Sequence, residues 1–161
     1  MENESKVSYN YIPITEVSAK AAQEVVRDLE ELRADAYGYE CGEAISPLNY
    51  YSCQLLRGNL ISFVAFYQGK IAGAIYVSKI GNDLSVDQVF VAPDYQKSGL
   101  HLGKQMIQYV IDNKEQVEEI LDCSFEGSVI SPNSEESKEL SHSLGYSKRD
   151  NDAYGYYYRK I

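Results

Sequence analysis

Three apolar stretches joined by short glycine-containing turns are the feature that most restricts the fold of this 161-residue chain. The stretches cover residues 60–67, 71–79 and 84–91, and the turns between them contain Gln68-Gly69 and Gly81-Asn82. Short runs rich in β-branched and aromatic residues, separated by such turns, indicate antiparallel strands. The sequence therefore predicts a three-stranded antiparallel meander at the centre of the fold.

One strand and two helices are predicted before the meander. Residues 9–14 alternate as a strand, and apolar residues recur at three and four over residues 17–33, the spacing of an amphipathic helix. Thr15 is the expected N-cap of that helix. Ser46-Pro47 is typical of a helix start, so a second, shorter helix is expected over residues 47–56.

The part that follows the meander alternates between helix and strand. Residues 100–113 have helical spacing, and residues 119–125 are expected to form a strand that a crossover would place parallel to its neighbour. Asn133 and Glu136 match a capping box for a helix that Gly145 ends. A closing hairpin is predicted from residues 145–149 and 153–160. No linker interrupts the chain, so residues 1–161 are expected to form one domain.

The loop between the third meander strand and the next helix has the composition of an anion-binding site. It runs over residues 96–103 and contains Lys97, Gly99 and Gly103. N–H groups at the start of a helix point outward together with the positive end of its dipole, and glycine allows a diphosphate to approach them closely. The two glycines are four residues apart, so the same spacing could instead serve close packing of the helix against the sheet.

The same stretch carries a family resemblance. Val91-Ala92-Pro93 followed by Gln96-Lys97-Ser98-Gly99-Leu100 resembles motif A of the GNAT superfamily of acyl-CoA N-acetyltransferases, and the order of the predicted elements is similar to that of the family along nearly the whole chain. The resemblance implies an α/β (α+β) fold with a mixed, splayed central sheet of about six or seven strands and about four helices. It also implies acetyl-CoA as the cofactor, entering between the fourth and fifth strands.

By this resemblance, the coenzyme is expected to contact the end of the fourth strand, the loop and the start of the last helix. The residues concerned are Val89, Phe90, Val91, Gln96, Lys97, Ser98, Gly99, Leu100, His101, Gly103, Lys104 and Asn133. His101 departs from the family, which usually has glycine or alanine at that position. Its side chain could crowd the coenzyme, hydrogen-bond a phosphate, or lie exposed on the helix surface.

The resemblance also implies direct transfer of the acetyl group to an amine. An N–H of Phe90 or Val91 is expected to bind the oxyanion. Asp87 is the candidate base, expected on the same strand face as Val89 and Val91 and with its pKa raised by apolar neighbours; an ordinary exposed aspartate is the alternative. The family's tyrosine acid is missing, which leaves Ser141, His142, Tyr146, another tyrosine or solvent as candidates.

Fifteen tyrosines and no tryptophan provide the candidates for the acceptor pocket. Four of them lie in the segment that shapes this pocket in the family: Tyr37, Tyr39, Tyr50 and Tyr51. A phenol combines stacking with a hydrogen bond, as recognition of a small molecule requires. The alternative is that each of these side chains bridges the core and the surface.

Composition restricts the partners and the location. With 24 acidic and 15 basic residues the net charge is −9, which disfavours nucleic acid and favours a cationic amine, although an acidic surface also simply maintains solubility. Three cysteines without metal-ligand spacing predict reduced thiols and no metal site. Without a signal or membrane segment, a cytoplasmic enzyme is expected. A homodimer, a protein N-terminal or lysine acetyltransferase, and an inactive acyl-CoA-binding module stay open.

Overall fold

The predicted meander forms the centre of the sheet. In the computed structural model, which describes residues 6–38, 49–150 and 152–161, three antiparallel strands are adjacent in chain order. They are β2 (Ile61–Tyr67), β3 (Lys70–Ile80) and β4 (Asp83–Val91). Gln68 and Gly69 have φ values of 52° and 76°, and Gly81 has 59°, so the turn residues adopt the left-handed conformations that such tight turns use.

Four more strands complete a mixed seven-stranded sheet. They are β1 (Val7–Ile12), β5 (Gly127–Ile130), β6 (Ser147–Lys148) and β7 (Tyr157–Lys160). The strand order is β1-β2-β3-β4-β5-β7-β6, and β4 and β5 are the parallel pair. The expected α/β fold with a mixed sheet is therefore confirmed, as is the closing hairpin of β6 and β7.

The sheet splays apart in the middle. β5 pairs only with the first part of β4, from Asp83 to Val86, whereas β4 continues to Val91. The second half of β4 therefore presents one edge of its backbone that no strand covers. A strand edge of this kind can hydrogen-bond an extended ligand.

Five α-helices are present among the described residues. They are α1 (Ala19–Tyr37), α2 (Tyr50–Arg57), α3 (Leu102–Asp112), α4 (Lys114–Leu121) and α5 (Glu135–Ser143). Ser18, not Thr15, caps α1, because the chain first makes a short 3-10 turn. The capping box of α5 pairs Ser134 with Ser137, one residue after the predicted pair. Ser46 and Pro47 lie outside the described residues, and Asn49 caps α2.

The predicted strand over residues 119–125 is wrong. Residues 114–121 form α4, with Val117 buried against the sheet and Ile120 and Leu121 beside it, which is a helical spacing. Asp122 ends the helix in a left-handed conformation, with a φ of 52°. The parallel strand is Gly127–Ile130 instead.

Each face of the sheet has its own core. One face packs against α3 and α4 and buries Phe63, Ile75 and Met106, whereas the other packs against α1 and α2 and buries Leu29, Leu55 and Tyr76. Among the described residues, no helix is both long and apolar enough to cross a bilayer, and no cluster of side chains could hold a metal ion.

A buried ion pair lies in the core between the sheet and helices α1 and α2. The Glu30 carboxylate accepts hydrogen bonds from Arg33 Nε at 2.8 Å and Nη2 at 3.1 Å, and from the Tyr76 hydroxyl at 2.9 Å. The Arg33 guanidinium also lies 4.6 Å from the centre of the Tyr51 ring. Burial and the negative charge of Glu30 together raise the pKa of Tyr76. The pair therefore ties α1 to the central strand β3.

Ser62 provides a small test of this core. Its hydroxyl is buried without a hydrogen-bond partner, which is costly for a polar group. We expect Ser62→Ala to raise the free energy of unfolding in urea by about 1 kcal/mol. A loss of stability of that size would instead show that the hydroxyl is hydrogen-bonded in solution.

Candidate active site

A cleft opens where β4 and β5 separate. Its volume is about 230 Å³, and it lies between the second half of β4, the start of α3 and the segment that leads from β5 into α5. The residues that line it are Tyr37, Val86, Asp87, Gln88, Val89, Val91, Gly103, Ile107, Ile130, Ser131, Pro132, Asn133, Ser137 and Leu140. It therefore brings together the predicted base, the strand edge, one loop glycine and Asn133.

A β-bulge at Asp87 determines which groups face the cleft from β4. Val86 lies opposite Val77 and Gln88 opposite Tyr76, so Asp87 is the extra residue. A bulge interrupts the alternation of side chains between the two faces of a sheet. The expectation that Asp87 shares a face with Val89 and Val91 is therefore wrong.

The Asp87 carboxylate instead points to the face that carries α1 and α2. It accepts hydrogen bonds from Ser78 Oγ at 2.6 Å and Ser85 Oγ at 3.2 Å, and these two serines lie opposite each other on β3 and β4. Burial raises the pKa of this carboxyl group, and the two serine hydrogen bonds oppose that effect only in part. A half-buried carboxylate with a raised pKa has the properties of a general base.

The backbone of β4 beyond the bulge presents alternate peptide groups to the cleft. Ala92 N–H donates to Ala72 O of β3, and backbone direction in a strand alternates, so Phe90 also faces β3 whereas Val89 and Val91 face the open edge. The Phe90 N–H is consequently directed into the sheet. Of the two predicted oxyanion donors, only Val91 has its N–H at the cleft.

Two side chains already bind the carbonyl groups of this edge. The Tyr37 hydroxyl donates to Val89 O at 2.9 Å, and Gln96 Nε2 donates to Val91 O at 3.0 Å. Gln96 Nε2 also lies 2.8 Å from Ala36 O, which connects the loop to the end of α1. Gln96 thus organises the loop and the strand edge through its amide.

The start of α3 exposes unpaired backbone N–H groups. The helix begins at Leu102, two residues later than predicted, and its first regular hydrogen bond runs from Gln105 N to His101 O. The N–H groups of Leu102, Gly103 and Lys104 precede that bond, and His101 makes no side-chain cap. An uncapped helix start of this kind favours an anion such as a diphosphate.

His101 occupies the N-cap position and not the helix surface. Its φ of 53° lies in the left-handed region, which explains why glycine suits this position in the family pattern. The side chain is exposed and is not among the described residues that line the cleft. His101 therefore leaves the cleft open.

The glycines of the loop are not explained by packing against the sheet. A Cβ added at Gly99 would meet nothing within 4 Å, and one added at Gly103 would meet only Val89 Cγ1 at 3.7 Å, an ordinary contact. Gly99 has a φ of 79°, so its backbone conformation requires glycine. Gly103 lines the cleft, where a side chain would fill space that a ligand could use. Loop and helix start therefore fit a coenzyme diphosphate.

The remaining loop residues have modest roles. Ser98 Oγ donates to Tyr95 O at 2.8 Å and accepts from Leu100 N at 3.3 Å, so this hydroxyl stabilises the turn. Leu100 packs at the edge of the core between the sheet and helices α3 and α4. Lys97, in the loop, is exposed, and Lys104, in the first turn of α3, is half-buried, so both positions could contribute a cation for an anionic ligand.

None of the three named candidates for the acid lines the cleft. Ser141 is fully buried and donates to Ser137 O at 2.7 Å, and Tyr146 is buried with its hydroxyl 2.7 Å from that of Ser128. His142 packs against Tyr157 with ring centres 5.3 Å apart. These placements argue against all three, because an acid must reach the leaving group.

The four acceptor tyrosines have different positions. Tyr37 lines the cleft, whereas Tyr50 is 66% exposed and packs edge-on against Tyr51. Tyr51 accepts from Gln88 Nε2 at 2.8 Å, so it touches a residue that lines the cleft. Tyr39 lies outside the described residues.

Several residues of the site were missed by the sequence analysis. Gln88, Ser131 and Ser137 line the cleft, and Ser78 and Ser85 bind Asp87. Polar residues within the apolar strands were the available signal for Ser78, Ser85 and Gln88. Ser131 and Ser137 carried no comparable signal, because their location depends on the strand that was wrongly placed.

Comparison with known proteins identifies the class of protein that this fold and cleft define. The model of the acetyltransferase (GNAT) family matches residues 26–146. The chain therefore belongs to the GNAT acetyltransferase family, whose members use acetyl-CoA. No curated protein sequence matches it.

Solved structures agree in fold. The PaiA N-acetyltransferase from Thermoplasma acidophilum in complex with coenzyme A has a TM-score of 0.60 and 15% identity, over 97% of this chain and 99% of that one. An IAA acetyltransferase from Bacillus cereus has a TM-score of 0.57 and 16% identity, over 90% of this chain and 79% of that one. The structure of AtaTR bound with AcCoA has a TM-score of 0.62 and 10% identity, over 96% of this chain and 92% of that one. At these identities the likeness establishes the fold.

Gly103 allows the coenzyme cleft to be tested by substitution. We expect Gly103→Leu to weaken acetyl-CoA binding at least about tenfold in calorimetry, since its side chain would enter the cleft. Gly103→Ala is the control: its Cβ fits at 3.7 Å, binding should persist, and the free energy of unfolding should rise by up to about 1 kcal/mol. Equal binding by wild type and Gly103→Leu would place the coenzyme elsewhere.

Proposed function

We propose that the chain transfers an acetyl group from acetyl-CoA to the primary amine of a small cationic molecule. The observation that carries this proposal is the meeting of three features in one cleft: the uncapped start of α3, the open edge of β4 and the Asp87 carboxylate. The first two suit a coenzyme, and the third suits an amine. Acetyl-CoA supplies the acetyl group as a reactive thioester.

The residues of the chain have distinct roles in this proposal. The N–H groups of Leu102, Gly103 and Lys104 hold the diphosphate, and the open edge of β4 holds the extended arm of the coenzyme. The Val91 N–H donates to the thioester oxygen, where negative charge develops. Asp87 takes a proton from the amine, directly or through water, with Ser78 and Ser85 fixing the orientation of its carboxylate.

Charge supports a cationic acceptor over a nucleic acid. The net charge of −9 disfavours a long polyanion such as a nucleic acid, whose binding requires a basic face, and Asp87 contributes a carboxylate at the cleft. Amines that carry further positive charges, such as polyamines, aminoglycosides and amino acid amides, are consequently favoured. Lysine side chains and protein N-termini are the larger alternatives, and basic peptides represent them in an assay. The availability of acetyl-CoA agrees with a cytoplasmic enzyme.

A panel of amines with a thiol-release assay tests this proposal. We expect release of CoA above the rate of hydrolysis with at least one small polycationic amine, and slower release with neutral amines of the same size. Activity only with basic peptides would assign a protein acceptor. No release above hydrolysis with any amine would contradict the proposed enzyme activity.

A binding module without turnover is the second candidate. It is favoured by one observation, that Ser141, His142 and Tyr146 all lie away from the cleft. Calorimetry separates the two candidates. Tight binding of acetyl-CoA without transfer to any amine would support the module, whereas transfer would exclude it.

A further inference from the structure

Tyr37 is the last residue of α1, and its side chain lines the cleft. Gly38 follows it with a φ of 73° and ends the helix, and the phenol ring packs against Phe90 with ring centres 6.4 Å apart. The hydroxyl donates to Val89 O at 2.9 Å. The side chain is 44% exposed and lines the cleft.

The Tyr37 hydroxyl lies beside the N–H that the proposed function assigns to the thioester oxygen. On one edge of a strand, the carbonyl of a residue and the N–H of the second residue after it are neighbours. The Val89 carbonyl, which the phenol binds, is therefore adjacent to the Val91 N–H. The phenol therefore lies beside the strand edge along which the proposed function places the thioester.

The lining of the cleft contains, among the described residues, no second group of this kind. Among the described residues that line it, only Tyr37 and Asp87 are titratable. Asp87 must be ionised to accept the proton of the amine, so it cannot also supply one to the leaving group. A tyrosine hydroxyl carries a proton that it can donate.

The structure thus assigns Tyr37 as the catalytic proton donor to the sulfur of coenzyme A, an assignment that rests on the proposed function. As the amine nitrogen bonds to the acetyl carbon, the carbon–sulfur bond breaks and its electron pair stays on sulfur. The Tyr37 O–H turns from Val89 O to that sulfur and gives it the proton, and the sulfur leaves as a thiol. Asp87 receives the proton of the amine, and the phenolate regains a proton from solvent.

The end of α1 is held in the position that this role requires. Gln96 Nε2 bridges Ala36 O at 2.8 Å and Val91 O at 3.0 Å, so the residue before Tyr37 is connected to the same strand edge. The position on α5 where the family places its tyrosine holds Ser141, which is buried and donates to Ser137 O. The donor thus comes from a different helix.

Replacement of Tyr37 by phenylalanine tests the assignment in the full-length chain. The ring remains and the hydroxyl is lost, so we expect kcat to fall by about 100-fold, a usual contribution of general acid catalysis. The dissociation constant for acetyl-CoA should change less than about threefold, because the lost hydroxyl is assigned to the reaction step. Tyr109→Phe, a stacked tyrosine on α3 outside the cleft, is the matched control and should keep wild-type kcat.

A second measurement needs no turnover. Coenzyme A with a free thiol is added to wild-type protein and to Tyr37→Phe, and its thiolate absorbance is followed against pH. A phenol that donates to sulfur favours the thiolate, so thiolate should form at lower pH on the wild type than on the variant. Desulfo-coenzyme A should bind equally to both.

The outcomes separate this assignment from the proposed function. Unchanged kcat together with identical thiolate titrations would overturn the role of Tyr37 while leaving an active acetyltransferase. A Tyr37-dependent thiolate shift in a protein that acetylates no amine would support the position of the phenol and contradict the proposed function. Loss of coenzyme binding by Tyr37→Phe would overturn the assignment in favour of a binding role.

Discussion

The substitution Asp87→Asn should lower kcat by about 100- to 10,000-fold, the range observed when a general base is lost. The amide keeps the size of the side chain; its oxygen can accept from one of the two serines and its NH2 group can donate to the other, so the cleft should keep its shape. The binding constant for acetyl-CoA should not change. Steady-state kinetics and calorimetry on the same protein preparation provide both values.

The pH dependence of the wild type follows from the same group. Burial raises the pKa of Asp87, and the base must be ionised to act, so kcat/KM should rise with pH through that raised pKa. In the folded state the group keeps its proton to higher pH than in the unfolded state. Stability should therefore fall as pH rises between these two pKa values. Asp87→Asn should remove this loss and be more stable than the wild type at neutral pH.

Asp83→Asn is the control for Asp87. Asp83 begins the same strand, pairs with Arg149 at 3.3 Å and does not line the cleft. This variant should keep wild-type kcat. If Asp87→Asn retained wild-type activity and the same pH profile, water or another group would have to be the base.

The substitution Glu30→Leu should lower the free energy of unfolding by about 3–5 kcal/mol, the usual cost of breaking a buried ion pair. Glu30 is fully buried, and its carboxylate accepts two hydrogen bonds from the guanidinium of buried Arg33. The Tyr76 hydroxyl loses its acceptor as well. Denaturation in urea, followed by circular dichroism, measures the change.

The double variant Glu30→Leu/Arg33→Met separates charge from packing. When the cation of Arg33 is removed as well, at least half of the lost stability should return, because apolar replacements of buried ion pairs are often tolerated. Equal instability of the single and double variants would show that packing around Glu30, not its charge, stabilises α1 against the sheet.

The sequence predicted well the parts of the fold that depend on local patterns. The alternating runs and glycine turns of the meander identified β2, β3 and β4 because strand period and turn conformation are properties of neighbouring residues. The loop with Gly99 and Gly103 was recognised for the same reason. Its chemistry depends on backbone N–H groups at a helix start, which the sequence order itself implies.

Features that depend on tertiary contacts were not predictable from local patterns. The bulge at Asp87 exists only in the pairing of β4 with β3, and it reverses the face of the candidate base. Strand β5 has only four residues, too few for a periodic signal. The burial of Glu30 and Arg33 on α1 could not be predicted from residue type, because it depends on contacts with the Tyr76 hydroxyl and the Tyr51 ring.

A crystal structure of the protein with coenzyme A tests most directly whether the cleft between β4 and β5 is the coenzyme site. We expect the diphosphate oxygens within hydrogen-bonding distance of the Leu102, Gly103 and Lys104 N–H groups, and the extended arm along Val89 and Val91. Coenzyme bound on another surface, or an empty cleft at saturating coenzyme, would contradict the account.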